Sequence, residues 1–293
     1  MRWLAEYSLE AIAQAVRQVA PELDGRPITT RALVNKDDPM WWSSSAVIDG
    51  QYVAKFAWSR AAAERLAHEI AVLDELPVPY LPKVVASSTD PLLLVTELVA
   101  GASLFEVIDS IDRDEAGRQL ASFLGALHAC GGAYPPATLQ PASTDVLRKR
   151  FGRWARPDQQ ATVIKWCEWV EKVLGTPRGS VLVHGDLHGG NQVWDGGQLR
   201  AVVDFETAGL AEPEYDLRAF PGTGPGVELL TATMHHYPGE LDPERVMAWH
   251  VRHALGDALW RSEAGVPLPD HRTPPEWVAD LTDRFAALGV APS

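Results

Sequence analysis

The chain has 293 residues, of which 46% are hydrophobic and 22% charged, and its formal net charge is -13. This composition is that of a folded globular protein and excludes disordered and fibrous classes. The acidic excess argues against a surface for nucleic-acid phosphates and would attract a cationic ligand. With no apolar stretch of about 18 residues and no signal-peptide core, we expect no membrane insertion or secretion. Two cysteines without CxxC spacing, Cys130 and Cys167, indicate a reducing, cytoplasmic compartment.

The first third of the chain predicts a leading helix and a small antiparallel sheet. Ser8 is a suitable N-cap for a helix over residues 9–20, where apolar side chains recur at helical spacing. Strands are predicted over residues 28–34, 45–49, 51–57, 83–86 and 92–98. Asp49-Gly50 is a strong hairpin turn signal between the second and third strands. After Ser59, a plausible cap, an apolar repeat predicts a second helix.

The remainder of the chain is mainly helical. Asp112 begins a helix that Gly131 and Gly132 end. Further apolar stripes predict helices around residues 163–170, 247–254 and 278–285. A short β island over residues 181–203 interrupts them. These patterns predict an α+β protein with a sheet-rich first lobe and a helix-rich second lobe.

The polar loop HGDLHGGN, residues 184–191, follows the apolar run VLV in this island. A hairpin with the turn DGG, residues 195–197, brings Asn191 close to Asp204. Their amide and carboxylate oxygens are hard ligands suited to Mg²⁺. Asp186, just before them, could accept a proton from an incoming hydroxyl, and D-x-x-x-x-N is the arrangement of a phosphotransfer loop.

Two other interpretations of this loop are open. His184, Asp186 and His188 form an H-x-D-x-H cluster that could bind zinc, although the remaining histidines offer no comparable set of further ligands. A structural interpretation, in which His184 is packed and hydrogen-bonded in the core, suits that histidine. It does not account for Asp186, Asn191 and Asp204 together.

Lys55 lies in the strand YVAKFAW and shares a face with Val53 and Ala57. A lone strand lysine is usually an edge charge that points to water. The helix that follows carries Glu64 and Glu69, either of which could hold Lys55 toward nucleotide phosphates. We favour Glu69, because it lies beside the apolar stripe that the helix buries.

Lys55, a helix glutamate, TELVAG, LGALHA, HGDLHGGN and VVDFE, in this order and spacing, resemble the aminoglycoside phosphotransferase and choline kinase-like family. The resemblance covers residues 28–220 and depends on the ordered set. It implies a two-lobed protein-kinase-like fold, with a nucleotide-binding lobe over residues 1–98 and a catalytic and substrate-binding lobe over residues 99–293. It also implies ATP or GTP as co-substrate, and Mg²⁺.

The resemblance implies a role for each matching residue of the catalytic loop and metal site. Asp186 would be the catalytic base or would orient the substrate hydroxyl. Asn191 and Asp204 would bind Mg²⁺. His184 and Asp216, the latter in PEYDLRAF, would support the catalytic loop, although Asp216 could equally be a surface cap.

The resemblance also implies a nucleotide site. Lys55 would contact the α- and β-phosphates, with Glu69 as its ion-pair partner. TELVAG would be the hinge, where the Thr96 carbonyl and the Leu98 amide pair with adenine. Val53 would cover the adenine ring.

One departure concerns the loop over the phosphates, where eukaryotic protein kinases have GxGxxG and this chain has MWWSSSAVI. Ser43, Ser44 and Ser45 could donate hydroxyl and amide hydrogen bonds to the β- and γ-phosphates instead. Trp41 and Trp42, which precede them, could shield the nucleotide or an edge of the substrate.

The antibiotic-modifying members of this family hold a cationic ligand against acidic side chains of the helical lobe. Candidates for that wall are Glu206, Asp257 and Glu263, with Trp249 and Trp260 as aromatic surfaces. Each is also explained as an ordinary surface acid or core tryptophan.

We therefore expect an O-phosphotransferase for a hydroxyl of an aminoglycoside-type antibiotic, which would be a resistance enzyme. One alternative is a kinase for a small metabolite such as choline, homoserine or an amino sugar. The other is a pseudokinase-like nucleotide-binding module, against which the intact set of Lys55, Asp186, Asn191 and Asp204 argues.

Overall fold

A computed structural model of the protein describes residues 1–4, 8–30, 43–137, 143–150, 156–176, 178–219, 226–265 and 273–292. The helices α1 to α9 span Leu9–Val19, Arg60–Glu75, Leu104–Val107, Arg113–His128, Thr144–Arg150, Pro157–Leu174, Gly226–His236, Pro243–Ala264 and Pro274–Ala287. The strands β1 to β10 span Ile28–Thr30, Ser43–Ile48, Tyr52–Ala57, Val84–Thr89, Leu92–Glu97, Ala102–Ser103, Val181–Val183, Gln192–Asp195, Gln198–Val202 and Gly209–Ala211. Short 3₁₀-helices lie at Pro21–Leu23, Gly189–Asn191 and Pro213–Leu217.

The chain divides into two compact units. Unit 1 comprises Met1–Ala102, Asn191–Asp195 and Leu199–Ala208. Unit 2 comprises Ser103–Gly190, Gly196–Gln198 and Gly209–Ser293. Unit 1 therefore includes most of the β8–β9 hairpin, so no single boundary along the chain separates the two units.

Unit 1 is built on an antiparallel sheet with the strand order β1-β2-β3-β5-β4. Ile12 and Val16 of α1 pack with Ala54 and Phe56 of β3 in one buried core. Because side chains alternate along a strand, Lys55 lies on the opposite face, and α2 packs against β3 and β5 as well. The sheet thus separates its apolar core from the charged face.

The local signals in unit 1 act as the sequence predicted. The side chains of Ser8 and Ser59 accept hydrogen bonds from the first turns of α1 and α2. Asp49 and Gly50 both have positive φ, 53° and 65°, and join β2 to β3. The predicted antiparallel sheet is confirmed. The predicted strand over residues 28–34 is described as far as Thr30.

Unit 2 is mainly helical, as predicted. Buried side chains of α5, α6, α8 and α9 form one core. The helices α4 and α7 pack so closely that a Cβ on Gly117 would lie 2.6 Å from the Cβ of Ala232. β7 and β10 form a two-stranded antiparallel ladder in which Val183 pairs with Gly209.

The sequence did not predict α3, α5, α7, β6 or β10. α3, α5, β6 and β10 are short, and α7, which has 11 residues, follows a turn-rich stretch that obscures its start, so the periodic pattern is weak. Trp41 and Trp42 lie outside the described residues. No helix within the described ranges has both the length and the apolar character needed to cross a membrane.

Candidate active site

Lys55 is the centre of a charged cluster in unit 1. Its Nζ lies 2.8 and 2.7 Å from the two carboxylate oxygens of Glu69 and 3.0 Å from Oδ1 of Asp204. The Glu69 side chain is only 2% exposed, and it also accepts a hydrogen bond from the Phe205 amide. Glu64, the rejected alternative, pairs with Arg60 on the exposed side of α2. The partner of Lys55 is therefore Glu69.

Burial and charge together set the protonation of this cluster. Burial lowers the pKa of Lys55, but the nearby carboxylates of Glu69, Asp204 and Glu206 outweigh it, and the pKa is raised overall. Burial, opposed by Lys55, raises the pKa of Glu69 to about 7. The ammonium of Lys55 is therefore fixed as a charged donor on this face of the sheet.

The β8–β9 hairpin brings Asn191 and Asp204 to its open end. The Val203 amide donates to the Asn191 carbonyl at 2.9 Å. This bond joins one predicted metal-binding residue, Asn191, to the residue just before the other, Asp204. Asp204 has a φ of 74°, which is uncommon for a residue other than glycine. The predicted turn of the hairpin is also found, with positive φ at Gly196 and Gly197.

Three carboxylates of unit 1 offer ligand atoms within 4.8 Å of one another: Glu69, Asp204 and Glu206. Arg65 holds Glu206 through a salt bridge of 3.0 Å, and the Glu206 side chain is 14% exposed. Burial and the neighbouring Asp204 raise the pKa of Glu206. Glu206, predicted as an acid on the helical wall, thus belongs to unit 1 and faces Arg65.

In unit 2 the start of the HGDLHGGN loop is held by a buried aspartate. The two carboxylate oxygens of Asp216 accept hydrogen bonds of 2.8 Å from the amides of His184 and Gly185. Asp216 is fully buried in the 3₁₀-helix that follows β10. The adjacent Asp186 has a side chain that is 40% exposed, with Oδ2 3.6 Å from Nε2 of His188. Asp216 is thus no surface cap.

Two further residues that support this loop were missed by the sequence analysis. His128, in the LGALHA motif on α4, places Nε2 3.2 Å from Asp216 and Nδ1 2.8 Å from the Tyr237 hydroxyl. Arg218 donates to the Gly185 carbonyl. The histidine within the LGALHA motif was a signal for the first, and the second follows Asp216 by two residues.

The zinc interpretation of the loop is wrong for the described part of the chain. His184 is fully buried, and its Nδ1 accepts the Asp186 amide at 3.2 Å. The ligand atoms of His184, Asp186 and His188 do not all lie within 4.8 Å of one another. Among the described residues, only the carboxylates of Glu69, Asp204 and Glu206 form such a group. The core role predicted for His184 is confirmed.

Most of the residues predicted to bind nucleotide lie on the sheet of unit 1, whereas Leu98 directly follows β5 and Glu69 lies on α2. Val53 pairs across the ladder with Thr96. The Leu98 amide donates to the Gln51 carbonyl at 2.7 Å. Adenine could accept a hydrogen bond from this amide only by replacing the Gln51 carbonyl as its acceptor. Ser45 pairs directly with Lys55 across the β2–β3 ladder. Ser43 and Ser44 lie in β2, but their side chains are outside the described set.

The predicted substrate residues of α8 differ in exposure. Trp260 is 42% exposed, and the Arg261 guanidinium lies 5.5 Å from its ring centre. Asp257 forms a salt bridge of 2.7 Å with Arg261, and burial raises its pKa. Trp249 is buried and donates to Glu212, which agrees with the interpretation of this residue as a core tryptophan. Glu263 pairs with Arg150 at the surface.

These parts are those of a phosphoryl-transfer enzyme: a lysine held by a helix glutamate, an asparagine and an aspartate on a hairpin, and an aspartate on a supported loop. The chain belongs to the phosphotransferase enzyme family, whose profile matches residues 37–265. It is similar to viomycin phosphotransferase from Streptomyces vinaceus, with 30% identity over 250 residues, 75% of this chain and 84% of that protein. The chain is a phosphotransferase.

Solved structures agree on the fold. The GDP complex of aminoglycoside 2'-phosphotransferase-IIIa matches with a TM-score of 0.69 and 17% identity over 97% of this chain and 98% of that one. A spectinomycin phosphotransferase with ADP and spectinomycin matches with a TM-score of 0.68 and 12% identity, over 96% and 98%. A choline/ethanolamine kinase family protein from Mesorhizobium loti has a TM-score of 0.64 and 20% identity, over 96% and 99%. The predicted kinase-like α+β fold is confirmed.

Proposed function

We propose that this protein transfers the γ-phosphate of ATP or GTP to a hydroxyl of a cationic antibiotic. The observation that carries the proposal is Lys55, held between Glu69 and Asp204 with its charge retained. In phosphoryl transfer a fixed cation of this kind contacts the nucleotide phosphates, and catalysis depends on positioning and charge neutralisation. Residues 1–98 would bind the nucleotide, and residues 99–293 would supply Asp186 and the acceptor site.

Asp186 would accept the proton of the attacking hydroxyl. Its side chain is partly exposed, and the backbone just before it is pinned by Asp216. A carboxylate on a rigid loop keeps its position as the substrate binds, which is the requirement for a positioned base. Ser43, Ser44 and Ser45 would bind phosphates. Val53, Thr96 and Leu98 would line the adenine site.

The residues fit a magnesium ion. Asp204 and Asn191 offer the carboxylate and amide oxygens that Mg²⁺ prefers, and Glu69 and Glu206 add further hard oxygens near Asp204. The ion would neutralise charge on the β- and γ-phosphates. Lys55 and Arg65 already balance part of the negative charge of this cluster.

A cationic acceptor suits the chain for two reasons. The net charge of -13 favours a positive partner. The relative from Streptomyces vinaceus is named for viomycin, and solved relatives are named for aminoglycosides and spectinomycin. Asp257 and the exposed ring of Trp260 on α8 are the candidate substrate contacts.

A labelled-nucleotide panel tests the proposal. The purified chain is incubated with γ-labelled ATP or GTP and Mg²⁺ and with viomycin, kanamycin, streptomycin, spectinomycin, choline or homoserine in turn. Label on an antibiotic is the expected result. Label on choline or homoserine alone would instead identify a metabolite kinase, and nucleotide binding without transfer to any acceptor would leave a binding module.

Asp186→Asn is the matched test of mechanism. We expect a loss of turnover of at least about 100-fold with little change in nucleotide affinity. Asp195→Asn is the control, because Asp195 is an exposed carboxylate at the turn of the β8–β9 hairpin, where it pairs with Arg200. Equal turnover by the two variants would contradict the role of Asp186.

A further inference from the structure

A small cavity lies inside unit 2. Its volume is about 20 Å³, and it is lined by Arg218, Ala219, His250, His253, Ala254, Leu281 and Arg284. A cavity needs roughly 10–15 Å³ to hold one water molecule. The cavity therefore has room for one small particle and excludes phosphate, nucleotides and antibiotics.

Arg218 is a buried cation without a counter-ion in the described part of the chain. The residue is 4% exposed. Its Nη1 donates to the Tyr215 carbonyl at 3.2 Å and its Nη2 donates to the Gly185 carbonyl, while the guanidinium lies over the Tyr215 ring at 3.9 Å. Its Nε is buried without a hydrogen-bond partner. A buried charge in this state is costly unless a partner neutralises it.

His250 adds a second donor to the cavity. Nη1 of Arg284 lies 3.0 Å from Nδ1 of His250. Arginine only donates, so Nδ1 must accept and Nε2 must carry the ring proton. That Nε2 is buried without a partner, and the residue is 2% exposed. The two described polar atoms left unpartnered at this cavity, on Arg218 and His250, are both donors.

The surroundings of the cavity are cationic. Burial and then the charge of Arg284 lower the pKa of His250 well below its ordinary value. Burial, followed by Arg218, lowers the pKa of His253 to about 3. Both histidines are thus neutral at neutral pH, and the guanidinium charges dominate the local potential.

We infer that this cavity binds one monovalent anion of halide size, held by the Nε–H of Arg218 and the Nε2–H of His250. An ion that only accepts hydrogen bonds satisfies both donors and neutralises Arg218. A water molecule would accept the same bonds but would supply no charge. The site is separate from the phosphoryl-transfer residues and does not depend on the proposed function.

The anion would also stabilise the catalytic loop. Arg218 lines the cavity, its guanidinium binds the Gly185 carbonyl through Nη2, and Gly185 precedes Asp186. An occupied site therefore holds Arg218 in the geometry that supports this loop.

Thermal unfolding at constant ionic strength tests the inference without any acceptor or nucleotide. Sodium gluconate is replaced stepwise by sodium chloride or bromide. We expect a saturable rise in the melting temperature of the natural chain of about 3 °C or more. His250→Phe should abolish the rise, and His250→Gln, which keeps an N–H donor, should retain it. His235→Asn, at an exposed histidine of α7, is the control and should respond as the natural chain does.

A second measurement covers variants that fail to fold. Crystals of the natural chain soaked in bromide should give an anomalous peak between Arg218 and His250. Absence of that peak, or an equal response of the natural chain and His250→Phe to halide, would overturn the inference.

Discussion

Replacing Asp216 with asparagine should loosen the HGDLHGGN loop, whose backbone it binds. The aspartate accepts two backbone N–H groups, from His184 and Gly185, each at 2.8 Å. Burial acts to raise its pKa, but hydrogen bonding and charge from His128 and His184, with the Gly185 amide, lower it overall, so the residue is ionised. Asparagine has one oxygen, and its NH₂ group would face one of the two backbone donors.

The magnitude follows from those two bonds. Hydrogen bonds to a charged group contribute about 1.5–3 kcal/mol each, and an unsatisfied buried donor costs about 1–3 kcal/mol. Asp216→Asn keeps one bond in neutral form, so we expect a loss of about 2–4 kcal/mol from a typical total of about 5–15 kcal/mol. The melting temperature should fall by roughly 10 °C. Displacing Asp186 by about 1 Å would lower turnover by about 100-fold.

Amide hydrogen exchange resolves this effect locally. Exchange at His184 and Gly185 should accelerate by at least about 10-fold in Asp216→Asn, alongside urea unfolding and turnover assays. Asp109→Asn, at an exposed aspartate after α3, is the control. Unchanged exchange at both amides together with an unfolding free energy within about 0.5 kcal/mol of the natural chain would refute this reasoning.

Variants at three other positions test the remaining energetics. Lys55→Met should cost about 3–5 kcal/mol in urea unfolding because Glu69 stays buried without its cation, and adding Glu69→Leu should recover stability but not phosphoryl transfer. Gly117→Ala should lower the free energy of unfolding by about 1–3 kcal/mol, because the new Cβ would lie 2.6 Å from Ala232 of α7; this outweighs a gain in helix propensity of about 1 kcal/mol. Gly131→Ala is the control, because a Cβ there meets nothing within 4 Å, and it should be neutral. The pKa of His253 is lowered from 6.5 to about 3, so the unfolded chain binds a proton at this histidine at a higher pH than the folded chain does. The free energy of unfolding should therefore fall, by at most about 5 kcal/mol, as the pH drops from 6.5 to about 3. His253→Gln should flatten this acid profile, and parallel profiles would contradict it.

Local patterns were enough to predict much of the charged cluster. Strand alternation places Lys55 opposite the apolar core, and the position of Glu69 beside the buried stripe of α2 selects it over Glu64. The turn of the β8–β9 hairpin likewise brings Asn191 near Asp204. Each of these inferences uses residues within one element or two adjacent ones, where spacing determines direction.

The long-range contacts could not be predicted in the same way. Asp216 binds backbone amides about 30 residues earlier and a histidine of α4, and backbone donors carry no signature in the sequence. Glu206 lies two residues from Asp204, yet its carboxylate turns to Arg65 on α2. Which way such a side chain turns depends on tertiary packing rather than on spacing.

The left-handed backbone at Asp204 has an evolutionary consequence. A residue with a Cβ is held there at a cost of about 1 kcal/mol, which glycine would relieve. Lys55 would still keep Glu69 as a partner after such a change. On the role proposed for Asp204 as a metal ligand, a lineage released from selection for catalysis could therefore become inactive by a single mutation that relieves this backbone strain. Retention of aspartate at this position across natural variants would then be a direct mark of continuing use.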